Sequence, residues 1–152
     1  MSALHKSSSH VQMKAEKMIF HNVECILHMK LEKNKKLYLA DNAFTYIQPD
    51  FYSEEESIIG EIFAHIGKPK KAQDNKIAND ILKMLLLEKI TGKQFRKIIV
   101  ICDDAEKNKL QGQSVLAESI RQFGIEIMYI ELEENMRKQI IEAQERQKMT
   151  NI

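Results

Sequence analysis

From Lys97 to Cys102 the chain carries Ile98-Ile99-Val100-Ile101, an unbroken apolar run and the clearest strand in the sequence. A strand of this kind is buried on both faces, so the sheet that holds it must be covered by helices above and below. Ala105 to Phe123 then reads as a helix closed by Gly124, and Ile125 to Leu132 as a further strand. Strand, helix and strand in that order imply a right-handed parallel crossover. Glu133 to Lys148 reads as an amphipathic terminal helix. Asp103-Asp104 stands at the carboxyl end of the strong strand, where open α/β sheets bind ligands, but no Gly-rich phosphate loop accompanies it. Gln111-Gly112-Gln113 matches neither a P-loop nor a GxGxxG sequence. The aspartate pair therefore reads as a helix N-cap followed by a first-turn charge.

The first half of the chain supplies the remaining layers. Val11, Ala15, Met18, Phe20, Cys25, Ile26 and Met29 recur at helical intervals between Ser9 and Lys30, with Ser7 to Ser9 as candidate caps. Glu32 to Lys36 is a charged break, and Leu37 to Ala40 is a short strand or a last helical turn. Asp41-Asn42 is turn chemistry. Phe44 to Gln48 predicts a strand ended by Pro49, Ser53 to Glu56 a polar connection, and Ile58 to Ile66 a second, more buried strand antiparallel to it. Gly67-Lys68-Pro69 stops that strand. Gln73 to Thr91 then has helical periodicity, with Gly92 in the C′ position. The fold class expected is α/β, a mixed central sheet flanked by helices.

A chain of 152 residues with 43% hydrophobic content suits one domain over 1–152, with 1–8 expected to be disordered and 149–152 frayed. Lys and Arg number 23 against 22 Asp and Glu, so any affinity for a polyanion must come from a local patch. The Ser-rich start lacks the apolar core of a secretion signal, and no apolar run approaches the roughly 20 residues that span a bilayer. A soluble, cytoplasmic protein with no membrane contact is expected. Cys25 and Cys102 lack metal or CxxC spacing and are expected to be two buried small hydrophobes.

Alternation along Ile58 to Ile66 puts Ile58, Gly60, Ile62, Ala64 and Ile66 on one face, and Ile59, Glu61, Phe63 and His65 on the other. A glutamate in so apolar a strand must be paired, metal-bound or at an open sheet end, because an isolated buried carboxylate is too costly to keep ionised. Asp50, just past the neighbouring strand, is the natural second ligand. Two hard oxygen donors with open positions suit Mg²⁺ better than zinc, for which no His/Cys set exists. His65 shares the Glu61 face, as a candidate ligand or proton shuttle or as a hydrogen-bonded structural residue.

Pro49-Asp50 and Glu61-Ile62-Phe63, within a helix, strands, helix, strand order from about Val11 to Cys102, resemble the PD-(D/E)XK or restriction endonuclease-like superfamily. The resemblance implies an α-β-β-β-α-β core, here with a C-terminal α-β-α extension, and a nuclease that hydrolyses phosphodiester bonds, of DNA by preference. It implies Asp50 and Glu61 as ligands of Mg²⁺, which polarises the phosphate and generates the attacking hydroxide. Phe63 stands where the family has a lysine. Lys76, on the following helix, is the candidate substitute, with Gln73 one turn earlier as an accessory contact to phosphate or water. The family's frequent first-helix glutamate is matched by Glu16 or Glu24, with Glu16 preferred. Asp80, four residues after Lys76, reads as its helix partner. The other reading of Phe63 is a lost site, leaving a nucleic-acid or protein-binding module of the same fold.

Nine bases against three acids lie between Lys68 and Lys97, a local positive excess. Lys68 and Lys71 are the candidates to hold phosphates beside the metal site. Phe51, Tyr52 and Tyr46 are the only aromatics nearby, which disfavours recognition of single strands by stacking. A homodimer would suit cleavage of both strands of a duplex. A third possibility is an unrelated α/β binding domain built on Lys97 to Cys102, in which the carboxylates lie far apart.

Overall fold

The structure, a computed structural model, describes residues 3–39 and 44–150. Helix α1 (Ala3–Leu27) leads through strand β1 (Glu32–Lys33) to β2 (Leu37–Tyr38), β3 (Tyr46–Ile47), β4 (Phe51–Ser53) and β5 (Ile58–Phe63). Then come α2 (Lys71–Thr91), β6 (Arg96–Ile101), α3 (Asp104–Leu110), α4 (Val115–Gln122), β7 (Ile125–Tyr129) and α5 (Glu134–Thr150). Five strands form one mixed sheet in the order β1-β4-β5-β6-β7, and β2 and β3 form a separate ribbon. The β1–β4 and β4–β5 pairs are antiparallel, whereas the β5–β6 and β6–β7 pairs are parallel. No helix among the described residues is long and apolar enough to cross a membrane.

The alternation read from the sequence decides which helix covers which face. Ile58, Ile62, Ala64 and Ile66 pack with Ala15, Ile19 and Val23 of α1 and Met136 and Ile140 of α5. Ile59 and Phe63 pack with Ile77, Ile81, Met84 and Leu87 of α2 and Ile120 of α4. β6 feeds both sides: Ile98 and Val100 enter the first core, Ile99 and Ile101 the second, and all four are fully buried. Each such side chain contributes about 1.5–3 kcal/mol relative to exposure. This double burial makes β6 the axis of an α/β/α sandwich, with Asp103 capping α3 from its carboxyl end through Ala105 N–H (3.0 Å).

Several elements depart from the sequence reading. The antiparallel partner of β5 is β4, not the Phe44 to Gln48 segment, which instead contributes β3 to the ribbon with β2. Only three residues separate Pro49-Asp50 from the acidic turn, too few for periodicity to register, yet all three of Phe51, Tyr52 and Ser53 are buried. The segment from Ala105 to Phe123 is two helices, because Ser114 caps α4 by accepting Ala117 N–H at 3.0 Å and so breaks the run near Gly112. Ser7 to Ser9 lie inside α1 rather than ahead of it. Cys102 is buried as expected, but Cys25 is exposed, its Sγ 3.8 Å from His21 Nε2. The expected turn at Asp41-Asn42 lies outside the described residues.

Candidate functional site

The β4–β5 ladder brings Asp50 and Glu61 together, and a glycine fixes its register. Phe51 lies opposite Gly60, and a Cβ on Gly60 would stand 1.9 Å from Cζ of the Phe51 ring. The ring therefore occupies the space that any other residue at 60 would fill. Asp50 directly precedes Phe51 and Glu61 directly follows Gly60, so this one close contact sets both carboxylates. Beyond it the ladder ends, and Asp50 Oδ2 takes the Ile62 N–H at 2.7 Å. Gln48 Nε2 donates to Asn34 O at 2.8 Å and Asn34 N–H to Asp50 O at 3.3 Å, which ties the Asp50 segment to the turn after β1.

Glu61 is buried on the α2 side of the sheet, beside the Asp50 carboxylate. Burial, and then the Asp50 and Asp80 carboxylates, push its pKa far above the ordinary carboxylate range, against a smaller opposing pull from Lys83. The direction favours the protonated form of Glu61, as expected for two acids sharing a dry site. A cation between them would replace that proton.

Lys76 is exposed, and its ammonium lies 5.1 Å from the centroid of the Phe63 ring. Asp80 is not paired with Lys76 as the sequence suggested. Its Oδ1 is 3.5 Å from Lys83 Nζ, one turn further along α2, while its Oδ2 is buried without a hydrogen-bond partner. Burial raises the Asp80 pKa, and Lys83 and then Lys76 pull it down. The sequence reading gave Asp80 only as a helix partner of Lys76, although the signal of a buried carboxylate was present. It falls among the buried positions Ile77, Ile81 and Met84 of α2, as Glu61 falls among isoleucines in β5.

Of the two glutamates offered by the first helix, Glu16 faces the site. Burial and then Asp50 raise its pKa, with Lys76, the Gln12 side chain and Lys33 opposing. Glu24 lies elsewhere and binds Leu31 N–H at 2.8 Å. Gln73 is used at the start of α2, where its Oε1 accepts Lys70 N–H at 2.7 Å. Lys68 and Lys71 are exposed in and after the β5–α2 connection. His65 is half-buried with Nδ1 unpartnered, and burial and then Lys70 lower its pKa. Phe51 and Tyr52 are buried and present no stacking surface, whereas Tyr46 is exposed.

The donor set suits a hard divalent cation in kind, with Asp50 and Glu61 as paired oxygens. Among the described residues, however, no group of three or more His, Cys, Asp or Glu side chains is arranged to hold a metal ion. Any cation at this pair would complete its shell with water, phosphate or backbone oxygens. Comparisons with protein-family models, with curated proteins and with solved structures find no match for this chain.

Proposed function

We propose that this chain is a Mg²⁺-dependent nuclease of the restriction endonuclease-like type, acting on phosphodiester bonds of nucleic acid, with DNA as the expected substrate. The observation that carries the reading is the placing of the Asp50 and Glu61 carboxyls side by side at the end of the β4–β5 ladder, where Phe51 pairs with Gly60. Mg²⁺ bound there would supply a Lewis acid for the phosphoryl oxygen and a hydroxide at neutral pH. Asp50 and Glu61 hold the ion, and the Ile62 N–H keeps Asp50 turned toward it. The Lys76 ammonium, above the ring of the residue at the motif lysine position, neutralises charge that builds on the phosphate. Glu16 lies within the field of the same group and orients water at its edge. Lys68 and Lys71 hold flanking phosphates.

A second reading is a module of the same fold that binds nucleic acid or protein without chemistry. It is favoured by the absence of a third protein ligand beside the pair among the described residues. Incubating labelled duplex DNA with the chain separates the two. Cleavage in Mg²⁺ that stops in EDTA and in both Asp50→Asn and Glu61→Gln supports the nuclease. Binding that is indifferent to Mg²⁺, with no cleavage, supports the module. Asn at position 50 still accepts the Ile62 N–H, so lost activity there does not reduce to lost structure.

A further inference from the structure

The positive residues of the 68–97 segment are partly committed to the fold. Lys83 pairs with Asp80, Arg96 with Glu126 at 3.0 Å, and Lys97 is buried against Glu88 at 2.9 Å. On the other side of the site, α1 and β1 enclose a cleft of about 390 Å³ whose lining includes His10, Lys14, Glu16, Lys17, Lys33 and Asn34. Among the described residues, none of these three lysines is held in an ion pair. The cleft is joined to the carboxylate pair at two points. Asn34 is bonded to the Asp50 carbonyl and to the Gln48 side chain, and Glu16 lies in the combined field of Asp50 and Lys33. The Lys33 ammonium also rests 5.6 Å from the centre of the Phe20 ring, which limits the freedom it would lose on binding an anion.

We propose that this cleft seats the phosphate backbone of the nucleic acid on one side of the bond that is cut, with Lys14, Lys17 and Lys33 as its anion-binding groups. The inference rests on the reading of Asp50 and Glu61 as the reacting centre. The lining carries three lysines and one carboxylate, Glu16, which faces the site. It contains no Phe, Tyr or Trp, so the contact is to phosphates rather than to stacked bases. Lys14 and Lys17 are one turn apart on α1 and fall on one side of the helix. Nothing in the sequence marked them, because they lie far from the basic run and only the fold brings them to β1.

The test is fluorescence anisotropy of a short labelled DNA duplex in EDTA, with Glu61→Gln as background so that binding is read without cleavage. Replacing Lys14, Lys17 and Lys33 together by Gln should weaken binding at least about tenfold and flatten the log–log salt slope by about two to three. Replacing Lys89, in the last turn of α2, and Lys93, just past its Gly92 cap, should change neither. All five side chains are exposed, and unchanged circular dichroism confirms the fold of each variant. Unaltered affinity and slope in the triple variant, or no salt-dependent binding by the parent, overturns the assignment. Lysine-dependent binding by a chain that never cleaves rejects the hydrolytic reading and leaves the cleft. Metal-dependent cleavage with lysine-independent binding does the reverse.

Discussion

The Lys76 ammonium stands 5.1 Å from the centre of the Phe63 ring, so a cation from α2 reaches the surroundings of a β5 residue that cannot carry charge itself. On the proposed nuclease reading, this relationship makes the absence of a lysine at position 63 a question of position rather than of composition. Lys76→Ala is expected to lower the rate of DNA cleavage about 10²-fold or more, with little change in stability. In Phe63→Lys/Lys76→Ala the ammonium returns to β5, and part of the lost rate should return with it. Single-turnover cleavage checks both. An unimpaired Lys76→Ala variant would remove the lysine from the mechanism.

Gly60→Ala places a methyl where the Phe51 ring now lies. Overpacking in a closed core typically costs 1–3 kcal/mol, and the cost here should reach at least about 2 kcal/mol because the contact is aromatic carbon at 1.9 Å. Phe51→Leu in the same chain should recover part of that stability. Urea denaturation of the two variants gives the comparison, and a neutral Gly60→Ala substitution would contradict the assigned register.

A further prediction concerns Glu106, which is 2% exposed, has both carboxyl oxygens without hydrogen-bond partners, and lies away from the carboxylate pair. Burial pushes its pKa up to about 7, the Asp74 and Asp103 carboxylates add to the rise, and Lys109 opposes it. A raised carboxyl pKa means the folded state holds the proton more tightly than the unfolded chain. Its contribution is fully present below about pH 4.5 and is lost as pH rises toward about 7. Glu106→Gln should therefore leave stability at pH 4.5 nearly unchanged and raise it above pH 7, by on the order of 3 kcal/mol. Denaturation curves at the two pH values test this, and a variant that is destabilised equally at both would refute it.

The layers of this fold were legible because they follow from periodicity. The apolar run before Cys102, the alternation through Ile58 to Ile66 and the spacing of Ile77, Ile81 and Met84 each fixed an element and the face it buries. The short elements were not legible. β4 is three residues long and its pairing depends on Phe51 crossing Gly60, a tertiary contact with no local signature. The meeting of Asp50 and Glu61 was readable from a charge placed in an apolar strand, whereas Asp80 carried the same signal on α2 and was read as the partner of Lys76 rather than of Lys83. Gln73 went the other way. Its spacing from Lys76 suggested a contact to phosphate or water, but its oxygen is taken by the Lys70 N–H at the start of the helix. Lys14, Lys17 and Lys33 were not marked because they lie outside the basic run from Lys68 to Lys97, and folding brings them to one cleft.

The direct test of the central claim is calorimetric titration of Mg²⁺, with Mn²⁺ as a second probe, into the wild-type chain, Asp50→Asn and Glu61→Gln. The account predicts one saturable divalent site per chain in the wild type and its loss in both variants while each remains folded. No saturable binding in the wild type, or binding that both variants retain, would contradict the claim that these two carboxyls share an ion.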